Sequence, residues 1–364
     1  MVYLNVAGLS PFKREVHEEV TATLKKFSQL LYSEAGVDYY RQTLQRARQQ
    51  LAEWLHVENS QQIAFVPNAT TASCLTLSRL IWKPGDVILT TTHENSTVLK
   101  EILALRSRGV AVHSLDPTSP SELLTQIEQL LASARIRAIV ISHVSHIDGR
   151  IFPIERISQL AREHQVLLII DGAQAVGHIP VNLRDLHADA YFFPGHKWCA
   201  GPMGTGALIL GKTFSERDEI ANSKEEEEPH PPWAGFELGT QNLGLIAGFA
   251  KACTIKQQEG LQTETLEAFR REVRHTCSIL PGIQCLEWEG PHAPGIFSFQ
   301  CVDEPKSQAL FHSTGTTKSI AWKTFSTPTT PAHTGIRLSW SPHTPPADVQ
   351  YALIFLTNIL GSVE

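Results

Sequence analysis

Short, continuous apolar segments alternate along the first two thirds of the chain with segments of helical periodicity. The apolar segments include "QIAFV", "DVILTT", "VAVHSL", "IRAIVISHV", "VLLII", "ADAYFF" and "TGALIL". A strand that is apolar on both faces must be buried on both faces, and helices between successive strands provide that cover. The alternation therefore predicts an α/β fold with a mostly parallel sheet and helices on both faces. Ligands of such sheets bind beyond the carboxyl ends of the strands.

The pattern changes after about residue 250. A long polar helical stretch, roughly 248–278, precedes short alternating segments such as "GIFSFQC" and "GIRLSWS", and a last helix follows "TPPADVQ". This part of the sequence predicts a smaller α+β C-terminal domain. We expect an N-terminal segment, 1–15, that packs on the small domain, a large cofactor-binding domain, 16–247, and the small domain, 248–364.

Composition excludes several classes of protein. The net charge of -6 gives no basic surface of the kind that binds nucleic acid. No apolar run is long enough to span a membrane, and the first residues lack the apolar core of a secretory signal. The six cysteines form no CxxC pair, which predicts reduced thiols and a cytoplasmic protein. No metal site is expected, because His143 and His146 have no third ligand at useful spacing.

Polar residues follow the predicted strands. Asp171 comes directly after "VLLII", and Lys197 comes shortly after "ADAYFF". Taken alone, Asp171 could cap a helix, and the two residues could form a buried ion pair. They also suit pyridoxal phosphate, which forms a Schiff base with a lysine and needs an acid beside its ring nitrogen. Thr70 and Thr71, in "NATTA", lie at a predicted helix start, where they could cap the helix or bind a phosphate.

A family resemblance joins these observations. The stretch "DGAQAVGHIPVNLRDLHADAYFFPGHKWCAGPMGTGALIL" resembles the core of the class V aminotransferase group of fold-type I pyridoxal-phosphate enzymes. Further matching blocks occur in order: "YLNVAG", "FVPNATTA", "GDVILTTTHENS", "SHVSHIDGRIFPI", "FELGTQN" and "GIRLSWSPHT". The group includes cysteine desulfurases, cyst(e)ine C–S lyases and isopenicillin-N-epimerase-like proteins. The resemblance implies a mostly parallel seven-stranded sheet, pyridoxal 5'-phosphate as cofactor, and a homodimer with shared active sites.

The resemblance also implies roles around the cofactor. Lys197 is expected to form the Schiff base, Asp171 to pair with the ring nitrogen, and Gln174 to donate to the ring hydroxyl, with Ala173 beneath the ring. The residues expected to bind the phosphate are His196, Thr71 and Thr70, with Thr240 reaching the phosphate of the neighbouring subunit.

Arg337 is expected to hold the substrate carboxylate, since a guanidinium fork suits a carboxylate better than a lysine does. Asn5, in "YLNVAG", is expected to contact the substrate.

Three positions depart from the family pattern. Pro194 replaces a residue that is often Ser or Thr and would give the phosphate a hydroxyl. Asn95 stands where the family commonly has a His or an aromatic residue stacked on the ring, and His93 could replace it only if the loop is shifted. His146 stands where desulfurases usually carry an Asn. His146 could tune the ring, act on substrate protons as a catalytic residue, or be a satisfied core histidine.

The reaction expected from the sequence is cleavage of a C–S bond. A desulfurase needs a nucleophilic cysteine on the loop before the Arg337 block, and "FHSTGTTKSIAWKTFSTPTTPAHTGIRLS" contains none. The leading prediction is α,β-elimination of a cysteine- or cystine-like amino acid, through an external aldimine and a carbanion, with Lys197 removing the α-proton. Alternatives on the same cofactor are an epimerase, a racemase or an aminotransferase, and a different class is a non-catalytic protein that binds the cofactor. A nicotinamide-binding Rossmann fold is disfavoured because no GxGxxG follows a strand.

Overall fold

The computed structural model describes residues 2–211, 214, 233–302, 320–321, 323–326 and 334–361. The helices of this part of the chain are α1 Arg14–Leu30, α2 Glu34–Leu55, α3 Ala69–Arg79, α4 Ser96–Ala104, α5 Pro120–Ser133, α6 Ile154–Glu163, α7 Leu183–Leu186, α8 Leu243–Glu259, α9 Thr263–Ile279 and α10 Pro346–Gly361. The strands are β1 Val2–Tyr3, β2 Ile63–Val66, β3 Val87–Thr91, β4 Ala111–Leu115, β5 Ile136–Ser142, β6 Leu167–Asp171, β7 Ala190–Pro194, β8 Gly206–Leu210, β9 Ile283–Cys285, β10 Ile296–Cys301, β11 Ile320–Ala321, β12 Lys323–Ser326 and β13 Thr334–Ser339.

The large sheet has seven strands in the order β2-β8-β7-β6-β5-β3-β4. The pairs among β3 to β7 are parallel, while β8 runs antiparallel to both of its neighbours. The apolar strands are buried along their whole length, because two apolar clusters cover the two faces of the sheet. This arrangement confirms the mostly parallel α/β sheet that the alternation in the sequence predicts.

Two details differ from the expectation. Strand β4 is an edge strand whose residues are exposed or half-buried, so "VAVHSL" is not a strand covered on both faces. The single polar helix expected at 248–278 is two helices, α8 and α9, separated at Gly260, whose φ of 69° lies in the left-handed region that ends helices. Helix α8 is largely buried against α1 and α2, since it lies in the interior of the large unit.

The smaller unit contains the antiparallel sheet β12-β13-β10-β9. Apolar side chains of α9 and α10 cover this sheet in one cluster with Val2 and Leu4. The chain start is fixed there by backbone hydrogen bonds, in which Ser339 donates to Leu4 and Val6 donates to Ser339. The first residues therefore lie on the small unit, next to the strand that carries Arg337.

We propose a two-domain division that follows these contacts. The boundary expected at residues 247 and 248 lies inside α8, whose buried residues belong to the large apolar cluster. A division near Gly260, between α8 and α9, leaves each helix with the core that it covers. None of the helices in the described ranges is long and apolar enough to cross a membrane.

Candidate active site

The predicted site residues lie at one edge of the large sheet. Strands β2, β3, β5, β6 and β7 point the same way, so their carboxyl ends share that edge. The residues that follow these ends are Thr70 and Thr71, Asn95, His146, Asp171 and Gln174, and His196 and Lys197. The fold thus brings together most of the cofactor ligands expected from the sequence.

Asp171 and Lys197 form the charged centre of this edge. The Asp171 side chain is 4% exposed, and its Oδ1 accepts a hydrogen bond of 2.8 Å from the amide of Ala173. Burial raises the pKa of the Asp171 carboxyl, and the positive charge of Lys197 opposes that rise. Asp171 is the last residue of β6 and is followed by a turn and not by a helix, so the structure does not support a helix-capping role.

The turn that carries His196 and Lys197 is tightly packed. A Cβ on Gly195 would lie 2.3 Å from Thr205 Oγ1 and 2.7 Å from the Phe249 ring, so only glycine fits there. The His196 carbonyl accepts a hydrogen bond of 2.8 Å from the amide of Ser10. These contacts fix the backbone directly before the lysine, whose positive charge acts on Asp171.

Trp198 connects this turn to the one after β6. Its indole Nε1 donates to Gln174 Oε1 over 2.6 Å, and the Gln174 amide nitrogen donates to the Ala7 carbonyl over 3.0 Å. The Trp198 ring also stacks on His178, with ring centroids 3.5 Å apart. Protein groups therefore bind both the oxygen and the nitrogen of the Gln174 amide. Its hydrogen bond to the hydroxyl of the cofactor ring stays a prediction.

The start of α3 is the helix end at which the phosphate is expected to bind. Asn68 caps this helix, because its Oδ1 accepts from the amide of Thr71 over 2.8 Å. The two threonine hydroxyls are therefore not needed as caps. Thr70 Oγ1 lies 3.1 Å from Thr97 Oγ1, at the start of α4. Thr97 is a hydroxyl that the sequence analysis missed, although it follows Asn95 by two residues.

The two candidates for stacking on the ring are both held by neighbours. Asn95 caps α4 and accepts from the amide of Thr97 over 3.0 Å. His93 is buried, with Nδ1 3.4 Å from Ser145 Oγ and Nε2 3.5 Å from Asp116 Oδ1. The residue that stacks on the ring stays a prediction.

Arg337 reaches the site from β13 in the small unit. Its Nη1 donates to the His146 carbonyl over 2.6 Å, and its Nη2 donates to Asn5 Oδ1 over 3.2 Å. The side chain is 2% exposed, and burial lowers its pKa to about 10, so it stays protonated at neutral pH. Its Nε is buried without a hydrogen-bond partner, and no carboxylate pairs with it within the described ranges. Asn5 and His146 are thus beside the expected carboxylate site.

Thr240 lies apart from this cluster. It is exposed, in the bend that precedes α8. Because its expected partner belongs to a second subunit, its role stays a prediction.

Three buried polar residues at the edge carry no role expected from the sequence. The Tyr191 hydroxyl lies 3.0 Å from His143 Nδ1, and burial lowers the pKa of His143 to about 4 and raises that of Tyr191. Glu94 is 3% exposed and accepts hydrogen bonds from two hydroxyls. A carboxylate three residues after an apolar strand, in "DVILTTTHE", was the signal that could have identified Glu94.

The residues at this edge fit pyridoxal phosphate. His196 Nδ1 is buried without a hydrogen-bond partner among the described residues, as a phosphate ligand would be before binding. The buried Asp171 carboxylate and the Lys197 amine are the two groups that the ring requires. No group of three or more His, Cys, Asp or Glu residues with metal-binding geometry occurs in the part of the chain that is described.

Comparison with known proteins gives the family. The sequence profile described as aminotransferase class-V matches residues 2–351. The chain belongs to the aminotransferase class-V family. It is 26% identical to a probable cysteine desulfurase of Methanothermobacter thermautotrophicus, over 82% of this chain and 77% of that protein. It is also 26% identical to the cysteine desulfurase IscS of Dictyoglomus turgidum, over 100% of this chain and 95% of that protein.

Solved structures support the same fold. The cystine C–S lyase C-DES, in complex with its reaction product cysteine persulfide, superposes with a TM-score of 0.85 at 24% identity, covering 98% of this chain and 97% of that chain. A lysine variant of C-DES carries glycine covalently linked to its pyridoxal-phosphate cofactor, and superposes with a TM-score of 0.82. The family, the fold type and the pyridoxal-phosphate cofactor expected from the sequence are confirmed.

Proposed function

We propose that this member of the class-V family cleaves the C–S bond of a cysteine- or cystine-like amino acid by α,β-elimination. The observation that carries the proposal is the buried Arg337 guanidinium, which lies at the cofactor edge without a carboxylate partner in the described ranges. A buried cation needs an anion, and an amino-acid carboxylate is the anion that such an enzyme binds. The named relatives, desulfurases and a cystine C–S lyase, support the bond that is broken.

Each residue has a defined task in this reaction. Arg337 binds the substrate carboxylate through its guanidinium fork, and the Asn5 amide and the His146 carbonyl orient that fork. Bound pyridoxal phosphate supplies an electron sink for the electrons left at the α-carbon. The Lys197 amine takes the α-proton, and Asp171 holds a proton on the ring nitrogen. The sulfur then leaves the β-carbon as a thiolate or a persulfide.

The cysteines favour elimination over transfer of sulfur to an enzyme thiol. Cys199 and Cys301 are each 1% exposed, and Cys253 and Cys277 are fully buried. Burial and the Glu101 carboxylate raise the pKa of the exposed Cys74 thiol, which disfavours the nucleophilic thiolate. The stretch before the Arg337 strand, part of which lies outside the described residues, contains no cysteine at all.

The test is product analysis of the purified enzyme with L-cysteine, L-cystine and thioether amino acids. We expect pyruvate and ammonia in equal amounts, together with sulfide from cysteine or persulfide from cystine. Lys197→Ala, which removes the base, is expected to form no product while remaining folded. Transfer of sulfur without pyruvate would contradict elimination.

The same samples in D2O test the alternative reactions. Deuterium at the α-carbon of recovered substrate, without pyruvate, would favour the epimerase or racemase. The second candidate base for that reaction is His146, whose backbone carbonyl accepts from Arg337. A keto acid that retains sulfur would indicate an aminotransferase. A cofactor spectrum that does not change with any amino acid would indicate a non-catalytic protein.

Two further parts of the proposal concern assembly and location. We place the enzyme in the cytoplasm as a homodimer in which Thr240 of each chain completes the phosphate site of the other. None of the six cysteines forms a disulfide, which is consistent with a reducing compartment.

A further inference from the structure

A second buried carboxylate lies at the cofactor edge, and the proposed function gives it no task. Glu94 is in the turn between β3 and α4 and is 3% exposed. Burying an ionisable carboxyl is costly unless its surroundings stabilise it, so a buried glutamate beside an active site calls for an explanation.

Glu94 joins the ends of two strands. Its Oε1 accepts a hydrogen bond of 2.7 Å from Thr91 Oγ1, the last residue of β3. Its Oε2 accepts one of 2.6 Å from Ser142 Oγ, the last residue of β5. The turn that holds His93 and Asn95 is therefore anchored through Glu94 to the neighbouring strand end.

The same contact places Glu94 behind Asp171. Ser142 pairs directly with Asp171 in the parallel register of β5 and β6. The negative charge of Asp171 contributes to raising the pKa of Glu94 to about 7, although burial is the larger cause. Asp171 is thus close enough to act on the charge of Glu94, which is partly ionised at neutral pH and carries its full negative charge at higher pH.

The other titratable groups at this edge do not neutralise Glu94. Burial lowers the pKa of His143 to about 4 and raises the pKa of Tyr191, so both are uncharged near neutral pH. His93, next to Glu94 in the turn, has its imidazole directed to Asp116 and Ser145. The Lys197 charge acts on Asp171.

We propose that Glu94 is a positioning residue of the cofactor site: it anchors the turn before α4, and its negative charge behind Asp171 disfavours the loss of a proton from the bound cofactor. The reason is electrostatic, because a second negative charge in a buried environment makes removal of a nearby proton less favourable. Asp171 remains the group that contacts the ring. This inference rests on the proposed cofactor site.

The experiment is a pH titration of the visible absorbance of the holoenzyme, which follows the proton on the nitrogen that joins the cofactor to Lys197. The dissociation constant of pyridoxal phosphate is measured in parallel. Glu94→Gln keeps the shape and removes the charge. We expect the pH midpoint of the absorbance change to fall by about 0.5–1 pH unit. Glu94→Asp keeps the charge and shortens the reach, so its midpoint is expected to stay near that of the wild type while the cofactor binds more weakly.

Glu128→Gln is the matched control, because Glu128 is a half-exposed residue of α5 that pairs with Arg156 on the surface. This substitution is expected to change neither the pH midpoint nor the dissociation constant of pyridoxal phosphate. If Glu94→Gln does not fold, Ser142→Ala takes its place. This substitution removes one of the two hydroxyls that donate to Glu94, which raises the pKa of its carboxyl further. The pH midpoint is then expected to fall by less than the change expected for Glu94→Gln.

The outcomes separate the two proposals. A wild-type protein that binds no pyridoxal phosphate would overturn the cofactor site and this inference together. A wild type that binds it, with an unchanged midpoint in Glu94→Gln or in the Ser142→Ala substitute, would overturn only the role of Glu94.

Discussion

Arg337 illustrates how a single side chain can define a ligand. The guanidinium is almost fully buried, and its hydrogen bonds go to a backbone carbonyl and to a neutral amide. Neither partner carries a charge, so among the described residues the guanidinium has no counter-charge until an anion binds. A lysine at this position would present one ammonium in place of a planar fork.

Arg337→Lys is therefore expected to raise KM for the amino acid by roughly 10- to 100-fold, as expected from losing about 1.5–3 kcal/mol of charge-assisted hydrogen bonding. The effect on kcat is expected to be smaller, because carboxylate binding is shared by the ground state and the transition state. Steady-state kinetics measure both constants. Arg274→Lys, at a surface residue that pairs with Glu287, is the control and is expected to leave them unchanged. An unchanged KM in Arg337→Lys would remove the carboxylate site from this position.

Most individual site residues could be located from the sequence, but the residues with which they form hydrogen bonds could not. Asp171, Lys197 and His196 could be located because each follows an apolar strand, and strand ends share one edge. The contacts of Gln174 with Trp198 and Ala7 could not be predicted, since they join segments far apart in the chain. The contact of Glu94 with Ser142, 48 residues away, was missed for the same reason.

At the scale of elements, the start of α3 is the expected binding position of the phosphate. Asn68 satisfies the amide of Thr71, which leaves the threonine hydroxyls available for a ligand. Asn68→Ala is expected to lower the free energy of unfolding by about 1 kcal/mol, the usual contribution of a helix cap. Urea unfolding of the wild type and the variant measures this difference.

Asn68→Asp tests whether this helix start receives the phosphate. Aspartate is as good a cap as asparagine, so stability is expected to be retained. Its negative charge would repel a phosphate at the same helix end and weaken pyridoxal-phosphate binding about tenfold or more. Asn68→Ser keeps a neutral cap, so both the stability and the affinity for pyridoxal phosphate are expected to be retained. Equal cofactor affinity in the Asp and Ser variants would place the phosphate elsewhere.

The elements themselves were predictable where periodicity was strong. The buried strands of the large sheet follow from their apolar runs, whereas the edge position of β4 depends on strand order, which no local pattern encodes. The break between α8 and α9 coincides with Gly260 in "QQEGLQTET", but the burial of α8 comes from packing on α1 and α2. Tertiary contacts therefore determine both the edge position of β4 and the burial of α8.

At the scale of the whole molecule, the active site is assembled from both units of the chain. The large sheet supplies Asp171 and Lys197, and the small unit supplies Arg337, which bonds across to the His146 carbonyl. The N-terminal segment contributes Asn5 and is paired with β13 at Ser339. Substrate binding at Arg337 would therefore stabilise the relative position of the two units.

In the proposed dimer, each active site would likewise combine residues from two chains. Hybrid dimers test this arrangement. Two differently tagged chains, one with Lys197→Ala and one with Thr240→Ala, are co-expressed and the hybrids are isolated through both tags. If each site takes Lys197 from one chain and Thr240 from the other, the hybrid contains one intact site. Its activity at limiting cofactor is then expected to be about half that of the wild type, well above either parent.

The reciprocal hybrid is the matched control, because it contains the same two substitutions on one chain paired with a wild-type chain. With shared sites, neither of its sites has both residues: one lacks Lys197 and the other lacks Thr240. Its activity is therefore expected to be about half that of the Thr240→Ala parent. If each chain instead built its own phosphate site, the two results would be exchanged, since the wild-type chain would then keep a complete site. The pair of hybrids therefore distinguishes a site shared between subunits from one contained in a single chain, independently of which sulfur amino acid is the substrate.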